Sequence, residues 1–429
     1  MKSKASHRVV IVGGGAGGLE LAVRLGRRYG AGVVTLVDAT PFHVWKPSLH
    51  EVAAGTIDIH REGLSYAMLA HDNGFRFVAG RMTGADRAAR QVQVDALRDS
   101  DGEEVLPART LPYDTLVLCL GSNGNFFNTP GAEQYAVSLD STASAERFRI
   151  ELLKAVARKG RAGAGAAVEI AIVGGGATGV ELAAELHEAG RTLAAYGLGV
   201  EAVPRLDMTL IESGPRILGP LPERVADAAR EELVRRGVRV KEGCKVLEVA
   251  QGSLRTSGGD LPADLFVWAA GIKAPTLLRD LGLPVNAVNQ LVVDDRLRTE
   301  DEAVYAFGDC AAAPWQGKTV PARAQAAHQQ AAYLARVLSA RIEGRSPPAE
   351  PFAFRDFGSL VSIGHAEGVG TLMGGLAGRR LLVEGWVARV MYASIHWSHY
   401  ATVLGWWGAT MRSLAQFFGR RSRPRVKLH

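Results

Sequence analysis

A strand, a glycine turn and a helix, written twice in one chain, constrain this sequence more than any other feature. Val9 to Val12 is a β-branched run that opens into GGGAGG and then LELAVRLGRR, whose apolar residues recur at helical spacing. In such a turn Gly13 permits the tight bend, Gly15 lets backbone approach a pyrophosphate, and Gly18 lets the helix pack close on the strand. The helix N-terminus then faces phosphate charge. A second strand, Val33 to Val37, ends in Asp38, twenty residues beyond Gly18 (38 − 18), where a carboxylate accepts hydrogen bonds from a ribose diol. Incidental glycines in an ordinary strand-turn-helix would not require an acid at that interval.

The pattern returns at Ile170 to Leu186, IAIVGGGATGVELAAEL, with Gly174, Gly176 and Gly179 in the same three roles. The following strand, Asp207 to Ile211, ends at Glu212, thirty-three residues beyond Gly179 (212 − 179). An insertion of about a dozen residues relative to the usual spacing is therefore expected, most easily within 187–205. Glu212 would bond the 2′-hydroxyl of NADH and repel the 2′-phosphate of NADPH, which predicts NADH preference. Arg216 argues the other way, since an arginine pairs with phosphate. Glu181 and Glu185 stand one turn apart inside the second helix. Glu185 reads as compensation of the helix dipole, whereas for Glu181 that reading and a place beside the nicotinamide stand equally open.

Placement at the N-terminus is typical of an FAD-binding half. Far downstream, VYAFGDCAA (Val304 to Ala312) sets Gly308 and Asp309 at the end of a short apolar strand, where Asp309 would hydrogen-bond the flavin's hydroxyls. Gly121, closing the strand LVLCLG, is counted with the same site. Two such halves, the first interrupted by a complete second, describe a flavin enzyme reduced by a nicotinamide cofactor.

Composition then narrows the acceptor. With 429 residues, 47% hydrophobic, the chain can bury two or three cores, so disorder is not the starting assumption. Only Cys119, Cys244 and Cys310 occur, none in a CxxC pair, which excludes a disulfide reductase and a zinc cluster and fits a reducing compartment. The start, Met1 to His7, does not read as a signal peptide, because the apolar run behind it breaks at Gly13. Net charge is +6, yet no acid follows Glu384, while Arg412, Arg420, Arg421, Arg423, Arg425 and Lys427 do. The basic character is thus a local feature of the tail, suited to an anionic membrane surface rather than to nucleic acid.

Residues 390–411 carry no charge, long enough to span a bilayer, but His396, His399, several hydroxyls, Gly405 and Gly408 make a poor hydrocarbon segment. At helical spacing Val390, Trp397, Leu404, Trp407, Met411, Leu414 and Phe418 fall on one stripe, with Arg412, Ser413 and Gln416 off it. Four of seven tryptophans lie here, Trp386, Trp397, Trp406 and Trp407, ahead of the basic run. A monotopic helix in the bilayer face is expected. A dimer interface or a core helix is the competing reading.

Over nearly its whole length the chain resembles the type II NADH dehydrogenases, single-subunit NADH:quinone oxidoreductases of respiratory membranes, in their proteobacterial branch. The segments that carry the likeness are FHVWKPSLHEVAAG (Phe42 to Gly55), WAAGIKAP (Trp268 to Pro275), GDCA, PARAQAAHQQA (Pro321 to Ala331), FGSLVSIG (Phe357 to Gly364) and the terminal RVKLH. The resemblance implies that Lys46 lies beside the flavin ring, where a cation stabilises the reduced anion. It implies that Gln325 and His328, at i and i+3, sit by the isoalloxazine and the quinone head. It implies that Glu181 is the acid near the nicotinamide and that Gly271 lets its loop pass close to NADH. Ser48 departs from the family's usual leucine after the WKP turn, a change expected to touch only quinone-tail contacts.

The expected fold class is α/β: two Rossmann-like dinucleotide-binding domains of the glutathione-reductase-like flavoprotein type, plus a C-terminal amphipathic helical membrane region. The expected division is FAD domain 6–140 and 290–345, NADH domain 141–289 and tail 346–429. The expected activity is non-pumping transfer from NADH through FAD to a ubiquinone-type membrane quinone, at the cytoplasmic face of the inner (cell) membrane, by a peripheral protein able to form a homodimer. No metal is expected. A soluble ferredoxin or rubredoxin reductase would not need the tryptophan-rich tail, a sulfide:quinone oxidoreductase would need a reactive cysteine pair, and an NADH-sensing binding protein would show no turnover with quinone.

Overall fold

The computed structural model describes residues 7–99, 101–161, 163, 165–197, 203–363, 367–373, 380–419 and 426–428. Strand β1 (Val9–Val12) is buried at every position, as suits a β-branched run covered on both faces. It passes through the glycine turn into helix α1 (Ala16–Tyr29), which stops at Gly30 in a positive φ that glycine tolerates. The first stretch continues with β2 (Val34–Asp38), the short helix α2 (Leu49–Ala54), α3 (Tyr66–Asn73), β3 (Arg76–Ala79) and β4 (Thr115–Leu118). Helix α3 starts where the Ser65 hydroxyl accepts the Met68 N–H, a hydroxyl N-cap.

The middle of the chain repeats the plan with β5 (Val137–Ser138), α4 (Thr142–Gly160), β6 (Ala167–Val173), α5 (Ala177–Tyr196), β7 (Arg205–Ile211), α6 (Glu223–Arg235), β8 (Arg239–Lys241) and β9 (Leu265–Trp268). The chain then returns to the first unit through β10 (Val304–Ala306) and α7 (Ala324–Ile342), and closes with an antiparallel sheet of β11 (Gly358–Ile363), β12 (Glu367–Met373) and β13 (Arg380–Glu384) and the helix α8 (Gly385–Gly419).

The two central sheets are parallel and match strand for strand. One has the order β10-β4-β1-β2-β3 and the other β5-β9-β6-β7-β8. Val10 lies between Thr35 and Leu116, as Ile170 lies between Met208 and Leu265. Ligand crevices form at the C-terminal ends of β1 and β6. Helix α5 has 20 residues against 14 for α1, which takes up part of the insertion expected after Gly179. Residues 198–202, within the rest of that segment, lie outside the described residues.

Edge strands cross the expected boundaries. β5, at 137–138, pairs with the second sheet, three residues ahead of the expected start of that domain. Ala274, Leu278, Leu281 and Leu283 join the first unit's core, ahead of residue 290. Leu49, Val52, Ala53 and Ala54 of α2 pack into the second core although their segment belongs to the first stretch. Burial of apolar faces, rather than chain order, decides membership.

The C-terminal stripe is not one continuous face. Gly405 has φ 77 and ψ 168 inside α8 and turns the second half of the helix away from the first. Before it, Tyr400 and Val403 are buried in the first unit's core, with Trp397 and Leu404 packed against them. After it, Trp406 (73%), Trp407 (80%), Met411, Leu414 and Phe418 (70%) are exposed. The expected single amphipathic stripe thus becomes a docked stretch and an exposed apolar one, because a left-handed residue rotates the register that helical spacing assumes, while the other face of the second half stays docked through buried Ala409 and through Arg412 and Gln416 on Glu62. Among the described residues no helix is long and apolar enough to cross a membrane. The arginines at 420, 421, 423 and 425 and Gly364 lie outside the described residues, while Val426 is buried and Lys427 ties to Asp58 and Glu146.

Candidate functional site

Each glycine turn does with backbone what a side chain would obstruct. Gly13 and Gly174 take φ +106 and +112, and a Cβ on either would strike backbone of the neighbouring strand's exit, Cys119 O at 2.3 Å and Ala270 N at 2.6 Å. A Cβ on Gly18 or Gly179 would stand 1.9 or 2.0 Å from the carbonyl oxygen of Gly13 or Gly174, so close packing of helix on strand requires glycine there. Around Gly15 and Gly176 nothing lies within 4 Å of that position. The open space sits at the head of α1 and α5, where helix N–H groups and dipole attract an anion. This cradle fits the pyrophosphate of a dinucleotide in each half.

The acids that end the second strands brace these turns. Asp38 accepts the Gly14 N–H at 2.6 Å and Glu212 accepts the Gly175 N–H at 2.7 Å. Glu212 also accepts the Gly214 N–H at 2.6 Å. Arg216 turns away from it and donates to the carbonyls of Gly219 and Leu221 at 2.9 and 2.8 Å, so in this conformation it does not neutralise Glu212.

A third group of residues gathers at the exits of β4 and β10 in the first unit. Lys46, opening the WKP turn, donates from Nζ to the Ser122 carbonyl at 2.7 Å, and the Ser122 hydroxyl donates to Asp309 at 2.8 Å. Gly121 and Gly308 flank this link with φ +68 and +73, and the Gly308 N–H donates to Gln330 Oε1 at 2.9 Å. Gln290 donates to the Asp309 carbonyl at 3.0 Å. Segments far apart in sequence thus assemble one polar wall.

One turn along from Lys46, on α2, His50 reaches the other unit. Its Nδ1 is 3.6 Å from Glu181 Oε2 on α5, and both side chains are buried. That distance suits an ion pair, but burial moves both groups away from charge: Glu181 is pushed up to about 8 and His50 down to about 4. For Glu181, the Ser362 N–H bonded to Oε1 at 3.1 Å works against the rise, and Glu51 and Glu185 add to it. At neutral pH the contact is between an uncharged acid and an uncharged imidazole. The WKPSLH segment therefore spans both halves, with a cation at one end and a protonated carboxyl beyond the other.

Gln325 and His328 do not act on one face together. Gln325 donates to the Gly358 carbonyl at 2.9 Å and accepts the Phe357 N–H at 3.2 Å, holding the entry to β11. His328 faces α1, with Nδ1 2.7 Å from Glu20 Oε2. Gly271 has φ +66, and a Cβ there would meet the Phe127 ring at 2.4 Å, so the loop needs glycine to pass that ring.

Sequence reasoning missed Ser122, Gln290, Gln330 and His50, which carry no local spacing signal. It also passed over Glu20, whose position as an acid on the apolar face of LELAVRL was a readable anomaly. All three cysteines are free and buried, and burial pushes Cys310 up to about 12 and Cys119 upward as well. Held protonated by burial, the Cys119 and Cys310 thiols are poor nucleophiles.

Comparison with known proteins meets this geometry from outside. The sequence profile described as "Pyridine nucleotide-disulphide oxidoreductase" matches residues 7–331. A protein of Haemophilus influenzae called a type II NADH:quinone oxidoreductase is 39% identical over 98% of this chain and 99% of its own length. The structure of NDH2 from Plasmodium falciparum in complex with NADH covers 98% of this chain and all of that one at a TM-score of 0.79 and 20% identity. A sulfide:quinone oxidoreductase from Aquifex aeolicus shares the fold at a TM-score of 0.71 and 18% identity. With its paired cradles, the acid beside the second turn and free, buried cysteines, the chain belongs to the pyridine nucleotide-disulphide oxidoreductases and, within them, to the type II NADH:quinone oxidoreductases.

Proposed function

We propose that the protein oxidises NADH with a bound FAD and passes two electrons to a membrane quinone without pumping protons. The observation that supports this reading is the pair of matched cradles joined by the segment Lys46 to His50, with Lys46 bonded to the Ser122 carbonyl at one end and His50 against buried Glu181 at the other. Bound FAD supplies the hydride acceptor. Gly13, Gly15, Gly18 and Asp38 would hold its pyrophosphate end, with Gly121, Gly308, Asp309 and Gln325 around the rest. Gly174, Gly176, Gly179, Glu212 and Gly271 would hold NADH, with Glu212 favouring it over NADPH.

The chain's own work is positioning and charge. Lys46, anchored on Ser122 O, keeps an ammonium beside the flavin region, where it favours an anion. Glu181, neutral at pH 7, holds a proton inside a water-poor wall next to His50 and so can donate one to an oxygen placed there. Quinone reduction takes up one proton more than NADH delivers with its hydride, and Glu181 is our candidate for its source. Gln325 holds the β11 entry against α7, and partly exposed His328 on that helix faces Glu20 of α1.

We assign the exposed apolar half of α8 to the membrane face, supported by the exposure of Trp406, Trp407 and Phe418. A peripheral protein at the cytoplasmic face of the inner (cell) membrane, acting on a ubiquinone-type substrate and pairing into a homodimer through this region, completes the reading. The domain division follows the sheets, with an FAD unit of about 6–136 and 274–345 and an NADH unit between them. Anaerobic stopped-flow mixing tests the proposal: NADH should bleach the bound flavin and a short-chain ubiquinone should restore it. Colour that NADH cannot bleach, or that quinone cannot restore, overturns it.

A further inference from the structure

A chain of buried polar groups links the C-terminal helix to the first glycine turn, and the proposed chemistry does not use it. Glu20 on α1 is 1% exposed, His43 and His399 are 2% exposed, and the three are consecutive links. His399 Nδ1 lies 2.8 Å from Glu20 Oε1, His399 Nε2 lies 3.0 Å from His43 Nε2, and His43 Nδ1 lies 3.0 Å from the Gly14 carbonyl oxygen. Tyr66 donates to the same oxygen at 2.6 Å. At the outer end, His328, 38% exposed, approaches Glu20 Oε2 at 2.7 Å. That oxygen has no well-directed hydrogen bond among the described residues, so the outer contact is electrostatic.

The carbonyl at the inner end sets the direction of the whole chain. A carbonyl only accepts, so His43 must carry its proton on Nδ1 and leave Nε2 as an acceptor. Nε2 of His399 must then be the donor. Its Nδ1, facing a carboxylate, completes the set only if a proton lies between His399 and Glu20. Electrostatics agree with that count. Burial, reinforced by charge on His399, pushes His43 down to about 3, which keeps it neutral, while the contacts of Glu20 with His328 and His399 outweigh its burial and hold it below its ordinary value. The other charged or titratable neighbours are Arg24, 3.9 Å from Glu20, and His396, Tyr400 and Arg412 on the α8 side.

What the chain holds is the orientation of one peptide plane. In a trans peptide the C=O and the next N–H point in opposite directions. Pinning Gly14 O inward against His43 and Tyr66 therefore aims the Gly15 N–H outward, into the open space at the head of α1. We propose that His399 is a positioning residue of the flavin site, acting through His43 on the Gly14 carbonyl so that the C-terminal helix helps to set the pyrophosphate cradle. This inference rests on the reading of the first half as the FAD site.

The test measures FAD affinity of the full-length holoenzyme by flavin fluorescence on dilution, with NADH binding and thermal unfolding measured alongside. His399→Phe keeps ring volume and the contact with Trp45 but cannot donate to His43, and it should weaken FAD binding by about tenfold, as should His43→Phe. The double variant should be no weaker than the worse single one, because both break the same chain. Glu20→Gln can donate to His399 Nδ1 and keep the direction, so its affinity should stay within about twofold of the original, whereas Glu20→Leu should fall with the histidine variants. Should His399→Phe fail to fold, the Gln and Leu pair at Glu20 carries the test. Unchanged FAD affinity in His399→Phe, multiplying losses in the double variant, or equal losses in both Glu20 variants would overturn the proposal. An original protein that holds no FAD at all would overturn the reading of the first half as well, which separates the two failures.

Discussion

The two glycine turns reach one geometry by different means. In the second unit the Gly175 carbonyl is held by the Leu218 N–H at 2.8 Å, a backbone donor forty-three positions along the same unit (218 − 175). In the first, the matching Gly14 carbonyl is held by the Tyr66 hydroxyl and the His43 ring, and behind His43 stands His399 from α8. A backbone anchor makes a cradle complete within its own unit, whereas side-chain anchors make it depend on elements that arrive from the far end of the chain. Preorganising donors before a ligand arrives lowers the cost of binding, and the first unit recruits more of the molecule to do so. That suits a cofactor that stays bound more than one that exchanges at every turnover.

The largest effect is expected from filling the close-packed glycine in each half. Gly18→Val and Gly179→Val each drive a side chain into a carbonyl, at a cost of about 3 kcal/mol or more. The first should yield colourless protein. The second should stay yellow and lose bleaching by NADH. Spectra of the purified variants check this, and a yellow Gly18→Val would show that the first half is not the flavin site.

A pH experiment isolates the link between the halves. Folded Glu181 keeps its proton up to about 8, against an ordinary value of 4.5, so in that window the unfolded chain binds fewer protons and stability falls as pH rises. His50 has the opposite sign, because folded it charges only near 4 against an ordinary 6.5, and its contribution makes stability rise with pH up to 6.5. The two slopes offset each other below 6.5. Between 6.5 and about 8 Glu181 acts alone, with an expected loss of about 2 kcal/mol. Urea unfolding at the two ends of that window should show the loss in the original protein and not in Glu181→Gln, and an equal loss in both would remove Glu181 as its source.

Selectivity sharpens the contrast between the two strand-end acids. Glu212→Ala should lower kcat/KM for NADH by about tenfold relative to NADPH, since the carboxylate both attracts a diol and repels a phosphate. Steady-state rates with both cofactors measure the ratio, which should not move if Glu212 only braces its own turn. The smallest effect on either cradle is expected from Trp406→Ser with Trp407→Ser. Sedimentation with anionic vesicles should fall while NADH-dependent dye reduction persists. Removal of everything from Gly385 onward is a different experiment, because it takes His399, Tyr400 and Val403 from the first unit and should cost FAD as well. Flavin retained by that truncation would mean that the docked half of α8 is dispensable.

Much of this was legible in sequence where the signal was local. Strand, turn and helix of both cradles, with their terminal acids, could be placed because glycine conformations and helix starts are decided within a few residues. Lys46 was found only through resemblance, and its partner Ser122 not at all, since no spacing rule connects positions 76 apart (122 − 46). The tail shows where periodicity misleads. Helical spacing put Trp397, Leu404 and Trp407 on one stripe, yet the positive φ of Gly405 splits that stripe into a core-facing half and an exposed one. Gln325 and His328 likewise share a helix face by spacing, but one serves β11 and the other α1.

Sequence alone determined that two dinucleotide cradles exist, where each turn lies and which acid ends each second strand. Those are properties of short segments whose backbone choices are limited by sterics. Tertiary structure decided which distant groups meet: α2 packing on the second core, Lys46 on Ser122, Glu181 losing its charge beside His50, and His399 closing on the first turn. Burial and desolvation act on assembled neighbours, and no residue's neighbours across the fold are written in its own surroundings along the chain.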